Sequence, residues 1–162
     1  MTNVDPRPAV CWDTSALILW AEQEAAGGGT PVCGAAAMFL SGSARLVLSA
    51  VVLAEYVPAR TPAPARVLLD RLFGDPATEF VPADAGLCRR ASAARAAGLA
   101  ERPARKLRTP DAIVLATAAD CGAVLFSTDD DLTNLDGRPT ARGVRVRDPR
   151  RPDAARAIPP PG

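Results

Sequence analysis

The 162 residues contain no histidine, a single lysine, 4% aromatics and no pair of cysteines in a C-x-x-C arrangement. Without imidazole there is no Ser-His-Asp or Cys-His nucleophilic catalysis, no histidine general base and no zinc site of mixed Cys and His ligands. Chemistry in this chain must rest on carboxylates, hydroxyls, arginines or a bound metal. A Gly-Lys-Ser/Thr triplet is also missing, and Gly27-Gly28-Gly29-Thr30 carries no lysine and follows a helical pattern rather than a strand, which excludes a P-loop. No apolar run reaches 18 residues, and the first ten residues hold Asp5, Pro6 and Pro8 where a signal peptide needs a basic start and an apolar stretch. Cys11, Cys33, Cys88 and Cys121 are widely spaced in apolar surroundings and read as buried thiols of a reducing compartment. These absences together predict a cytoplasmic protein with no membrane partner.

What is present fits one domain, large enough to bury roughly two-thirds of the surface its unfolded chain exposes. With so few aromatics, the core is expected to consist of Val, Leu, Ile and Ala on closely packed helices. The net charge of +1 hides an asymmetry: residues 137–162 hold seven arginines and two aspartates, net +5, so the preceding body is net −4.

Short apolar segments alternate with helical ones. Val10–Trp12, Leu46–Leu48, Glu79–Val81 and Ala123–Phe126 read as strands, with Val144–Val146 as a last one. Between them, caps, prolines and glycines mark helices over 16–26, 31–42, 50–59, 65–73, 84–97 and 110–120. This alternation predicts an α/β protein with a mainly parallel sheet covered by helices on both faces, its functional groups lying beyond the carboxyl ends of the strands. Residues 1–148 form the domain in this reading, and the Pro- and Arg-rich residues 149–162 form a disordered tail.

Four acids stand where that architecture gathers functional groups. Asp13 follows the first strand and Asp129 follows Val124-Leu125-Phe126 after Ser127-Thr128; taken singly, each reads first as a turn or capping aspartate. Glu55 falls on the helix face of Val51, Val52, Tyr56 and Ala59, so a carboxylate is expected among core residues with a cation as partner. Asp111 sits in a first helical turn, where the exposed N–H groups favour an acid by roughly 0.3–1 kcal/mol, yet it shares a face with Val114, Leu115 and Ala118 and should point inward. Converging carboxylates repel one another unless hard divalent cations hold them, and oxygen ligands suit Mg²⁺ or Mn²⁺. Such ions lower the pKa of a bound water and neutralise the charge that develops on a phosphodiester.

The stretches Val10-Cys-Trp-Asp-Thr-Ser-Ala-Leu17, Leu48-Ser-Ala-Val-Val-Leu-Ala-Glu-Tyr56, Thr109-Pro-Asp-Ala-Ile-Val-Leu-Ala-Thr-Ala118 and Val124-Leu-Phe-Ser-Thr-Asp-Asp-Asp-Leu132 resemble, in this order, the four acidic motifs of PIN domains. They are most similar to those of VapC-like ribonuclease toxins from type II toxin-antitoxin pairs. The resemblance implies a three-layer α/β/α fold and a Mg²⁺- or Mn²⁺-dependent endoribonuclease. It carries the metal-binding and catalytic acids onto Asp13, Glu55, Asp111 and Asp129, with Asp13 and Asp111 as principal ligands. Ser15 and Ser127 match supporting polar positions and Asp131 a frequent extra acid. The run Asp129-Asp130-Asp131 leaves Asp129 and Asp130 both open as the fourth ligand, its position relative to Asp131 and Leu132 favouring Asp129. The resemblance also implies a homodimer and a small cognate antitoxin that covers the cleft.

An RNA substrate needs positive charge beside the acids, and Arg102, Arg105, Lys106 and Arg108 precede Asp111 closely enough to flank it; a solvated loop explains them equally well. A haloacid-dehalogenase-like phosphatase needs a second acid two residues after the first, where Ser15 stands. The remaining alternatives are a solitary RNA-processing nuclease and a PIN-like RNA- or protein-binding module that does not cleave.

Overall fold

The computed structural model describes residues 5–159. Five parallel strands form one sheet in the order β3-β2-β1-β4-β5: β1 Ala9–Trp12, β2 Arg45–Ser49, β3 Glu79–Val81, β4 Val124–Phe126 and β5 Val146–Arg147. In the centre, Val10 pairs with Leu46 on one side and with Val124 on the other. Side chains alternate along each strand. Val10, Trp12, Leu46, Leu48, Val124 and Phe126 join the core under α1 (Thr14–Ala25), α2 (Pro31–Leu40) and α4 (Ala63–Gly74). Ala9, Cys11, Val47 and Leu125 join the opposite core under α5 (Ala85–Ala100) and α6 (Thr109–Asp120). A parallel sheet is covered on both faces, which is why its strands read as continuous apolar runs. The predicted three-layer α/β/α architecture is therefore the one observed.

Small residues set the spacing on the second face. α5 lays Ala91, Ala94 and Gly98 against its neighbours, and a Cβ on Gly98 would stand 2.9 Å from the Arg105 carbonyl oxygen. Gly98 is thus not a helix terminator, as its place in the sequence suggests. α5 runs on to Ala100 because close backbone approach requires a glycine inside it.

Other expectations are corrected. The helix expected over 50–59 ends at Glu55 (α3, Val51–Glu55) and is followed by a 3-10 turn at Pro58–Arg60. Proline disfavours helical backbone in the residue before it, and Val57 is extended. A short helix, α7 (Asp130–Thr133), forms in the aspartate run, and the last strand is Val146–Arg147 rather than 144–146. Cys11 and Cys33 are buried, but Cys88 is exposed on α5 and Cys121 half-buried. Burial pushes the Cys11 thiol above its ordinary range.

Residues 149–159 do not behave as the disordered tail expected for 149–162; residues 160–162 lie outside the described part. A 3-10 turn at Ala154–Ala157 packs on α2, and Ala154 and Ile158 are buried in the first core. Two apolar side chains at the right spacing override a Pro- and Arg-rich composition. Ile158→Ala is expected to lower stability by about 2 kcal/mol, a fall in Tm of roughly 4–8 °C in thermal denaturation. An unchanged Tm would mean that this end contributes nothing to the core.

Candidate active site

The carboxyl ends of β1, β2 and β4 face the same way, so the turns that leave them meet at one edge of the sheet. β1 delivers Asp13: its N–H still pairs with the Phe126 carbonyl at 3.0 Å, after which its side chain caps α1, accepting from the Ala16 N–H at 2.8 Å. Ser15 Oγ donates to the same oxygen at 2.9 Å, and Ser127 Oγ donates to the other. Asp13 is only 7% exposed, and among the described residues no cation pairs with it. Burial raises its pKa above the ordinary carboxylate range against the lowering effect of these hydrogen bonds.

β4 delivers Asp129 by the same device. Its side chain caps α7, accepting from the Asp131 N–H at 2.7 Å, while its own N–H donates to Ser127 Oγ at 3.0 Å. Thr128 completes a hydroxyl chain between the two turns, donating from Oγ1 to Ser15 Oγ at 2.7 Å. Ser15 and Ser127 thus orient Asp13 and lock the β1–α1 turn to the β4–α7 turn.

Asp111, in the first turn of α6, is buried as its helical face implied. Burial raises its pKa; Arg108 pulls it back down, and the charges of Asp129 and Glu55 push it further up. Arg108 Nε donates to Asp111 Oδ2 at 2.9 Å, and a terminal nitrogen of the same guanidinium donates to Asp129 Oδ2 at 2.6 Å. Asp129 is therefore the acid of the aspartate run that shares a partner with Asp111, whereas Asp130 is exposed.

Glu55 is the clearest correction. It is exposed at the end of α3 and accepts a hydrogen bond from Thr14 Oγ1 at 2.8 Å. The expected core face and partner cation both assumed a helix continuing to residue 59. Because the helix stops, Glu55 meets the first residue of α1 through Thr14 instead.

The basic loop is divided. Only Arg108 touches the acids. Arg105 stands 3.8 Å from the Glu101 carboxylate, and Arg102 donates to the Ala100 and Glu101 carbonyls. Lys106 is exposed and lines a shallow groove that also includes Asp131. Sequence reasoning missed Thr14 and Thr128, whose hydroxyls are unremarkable in the chain, and it missed the bridging role of Arg108. The spacing of Arg108 and Asp111, three residues apart at a helix start, was the available signal.

The donor set suits a hard divalent cation: every candidate ligand is a carboxylate oxygen, and Asp13 is a buried acid without a counter-charge among the described residues. As placed, however, no three of these acids among the described residues stand close enough to hold an ion, and the Arg108 guanidinium occupies the position between Asp111 and Asp129.

The family model of the PIN domain matches residues 10–138. No curated protein matches the sequence. Among solved structures, FitAcB from Neisseria gonorrhoeae is 18% identical with a TM-score of 0.57, covering 86% of this chain and 97% of its own. A DNA-bound VapBC from Salmonella typhimurium is 19% identical with a TM-score of 0.59, covering 88% of this chain and 98% of its own. A toxin-antitoxin complex from Klebsiella pneumoniae is 20% identical with a TM-score of 0.53, covering 86% and 97%. The family match spans most of the chain, and these structures share its sheet flanked by helices: the protein belongs to the PIN domain family, whose members are generally nucleases that use divalent metals.

Proposed function

We propose that this protein is a Mg²⁺- or Mn²⁺-dependent endoribonuclease and the toxin of a VapBC-type pair, acting in the cytoplasm. The observation that carries this reading is the meeting of Asp13, Glu55, Asp111 and Asp129 at one sheet edge in a chain without histidine. Asp13 and Asp111 would be the principal holders of the ion, with Asp129 and Glu55 as further carboxylate ligands; Ser15, Ser127 and Asp131 would support them. A bound divalent ion supplies an activated water and neutralises charge on the phosphate. The protein's own part is positional. Ser15 and Ser127 fix both oxygens of Asp13, Thr14 turns Glu55 toward the cleft, and the start of α6 presents Asp111. Phosphates of the strand fall to Arg102, Arg105, Lys106 and Arg108, with Arg108 nearest the acids.

The partners proposed are an RNA substrate, a small antitoxin and a second copy of this chain. Support for the antitoxin comes from the toxin-antitoxin complexes among the structural relatives. Incubating the purified protein with structured RNAs and Mg²⁺ or Mn²⁺ tests the activity. Cleavage that stops on chelation, and that falls about 10³-fold in Asp111→Asn, is the expected result, equivalent to several kcal/mol of lost charge stabilisation. Cleavage unchanged in that variant would refute the assignment. Growth arrest on expression of the chain alone, relieved by co-expression of an adjacent small reading frame, tests the toxin role.

A further inference from the structure

Asp111 and Asp129 come from different elements, yet both are held by one side chain. The Arg108 guanidinium donates to Asp111 Oδ2 at 2.9 Å and to Asp129 Oδ2 at 2.6 Å. Among the described residues no other cation pairs with any of the four acids. The backbone of Arg108 is fixed, since its carbonyl accepts the Ala112 N–H at 3.0 Å at the head of α6. Its side chain is not: 64% of it faces solvent, so the guanidinium can leave without unpacking any core.

We propose that Arg108 is a place-holding cation, which keeps Asp111 and Asp129 together in the metal-free chain and is displaced when a divalent ion enters. The proposal rests on the metal-dependent reading above and adds an exchange to it. A planar guanidinium satisfies one oxygen of each carboxylate, and because it faces solvent itself, water screens its attraction for the two buried or half-buried acids. A divalent ion brings twice the charge and takes several oxygens at once. Arg108 therefore prevents like-charge repulsion from splaying the two turns before metal arrives, without barring metal. Once released, the guanidinium remains at the rim of the cleft, where a fork of N–H donors suits an RNA phosphate. Metal loading and exposure of a phosphate-binding group become the same event.

Two measurements on the full chain test this. Mn²⁺ titration, following free Mn²⁺ by electron paramagnetic resonance, compares wild type with Arg108→Gln. The variant has no competitor and is expected to bind about three- to tenfold more tightly. Lys106→Gln removes the same charge from the same loop without touching the acids, and its affinity is expected to stay within about twofold of wild type. In parallel, the Arg108 Nε–H resonance, assigned by its loss in Arg108→Gln, is expected to shift during a Mg²⁺ titration with the midpoint of metal binding. Equal Mn²⁺ affinity in wild type and Arg108→Gln, equal tightening in both variants, or an unmoved Arg108 resonance while metal binds, would each overturn the exchange and leave the metal site standing. If none of the three proteins binds Mn²⁺, the metal-dependent reading falls, and the exchange falls with it.

Discussion

Asp13→Asn is expected to reduce RNA cleavage by about 10³-fold or more while leaving the metal-free protein at least as stable as wild type. The two effects have one cause. Asp13 is buried with hydroxyl and N–H partners but, among the described residues, no cation, so its ionised form is disfavoured and its pKa raised. A carboxyl whose pKa is higher in the folded than in the unfolded state gives its stabilising contribution at low pH and loses it as pH rises through the folded value. At neutral pH the wild type therefore carries a cost that Asn lacks. Asn keeps an oxygen for the Ala16 N–H, so the cap on α1 survives. A gain of about 1 kcal/mol corresponds to a Tm higher by 2–4 °C, shrinking as the pH falls toward the ordinary carboxylate range. Divalent metal should reverse the order, because ligand binding to the folded state stabilises the wild type, by about 2.7 kcal/mol at a hundredfold excess over Kd, and so raises its Tm. Thermal scans at two pH values with and without Mg²⁺ check this. A variant less stable than wild type at neutral pH without metal would show that Asp13 is built for structure, and that its burial imposes no strain awaiting an ion.

The second large effect is expected one residue earlier. Trp12 is fully buried, stacked on Phe126 with ring centroids 5.1 Å apart and edge-on to Phe39 at 5.5 Å. Trp12 and Phe126 are the last residues of the two strands whose turns carry Asp13 and Asp129. Trp12→Ala leaves a cavity directly beneath both turns and is expected to cost about 4 kcal/mol, lowering Tm by roughly 10 °C. Cleavage should fall further than the loss of folded protein accounts for, because the hydroxyl chain Ser127–Asp13–Ser15–Thr128 spans the gap between the same turns. Trp12→Phe, which refills most of the volume, should restore most of both. If Trp12→Ala retains full specific activity per folded molecule, the aromatic stack holds up the sheet but does not set the site.

The parts legible in the chain were those governed by local chemistry. Apolar runs bounded by Gly and Pro marked the strands. Asp13 followed one of them as a capping residue, and Asp111 occupied the favoured first turn of α6 on an inward face. The order of the four acidic stretches was enough to show the family resemblance. Glu55 was misplaced because helical periodicity was extended past the point where Pro58 stops it. The same limit applied to the last residues, where composition pointed to disorder and the burial of Ala154 and Ile158 against α2 decided otherwise.

The sequence by itself determined the repertoire: with no histidine and with acids at strand and helix ends, carboxylate chemistry was what remained. Only the tertiary structure decided which groups meet. Parallel pairing of β1 with β2 and β4 brings residues 13, 55 and 129 to one edge, and α6 lays Asp111 beside them. Arg108 could be read as a surface cation until the fold placed Asp129 within 2.6 Å of it. Spacing along a chain reports neighbours within one helix or strand, whereas a contact across 21 residues depends on the packing of whole elements, which no local propensity encodes.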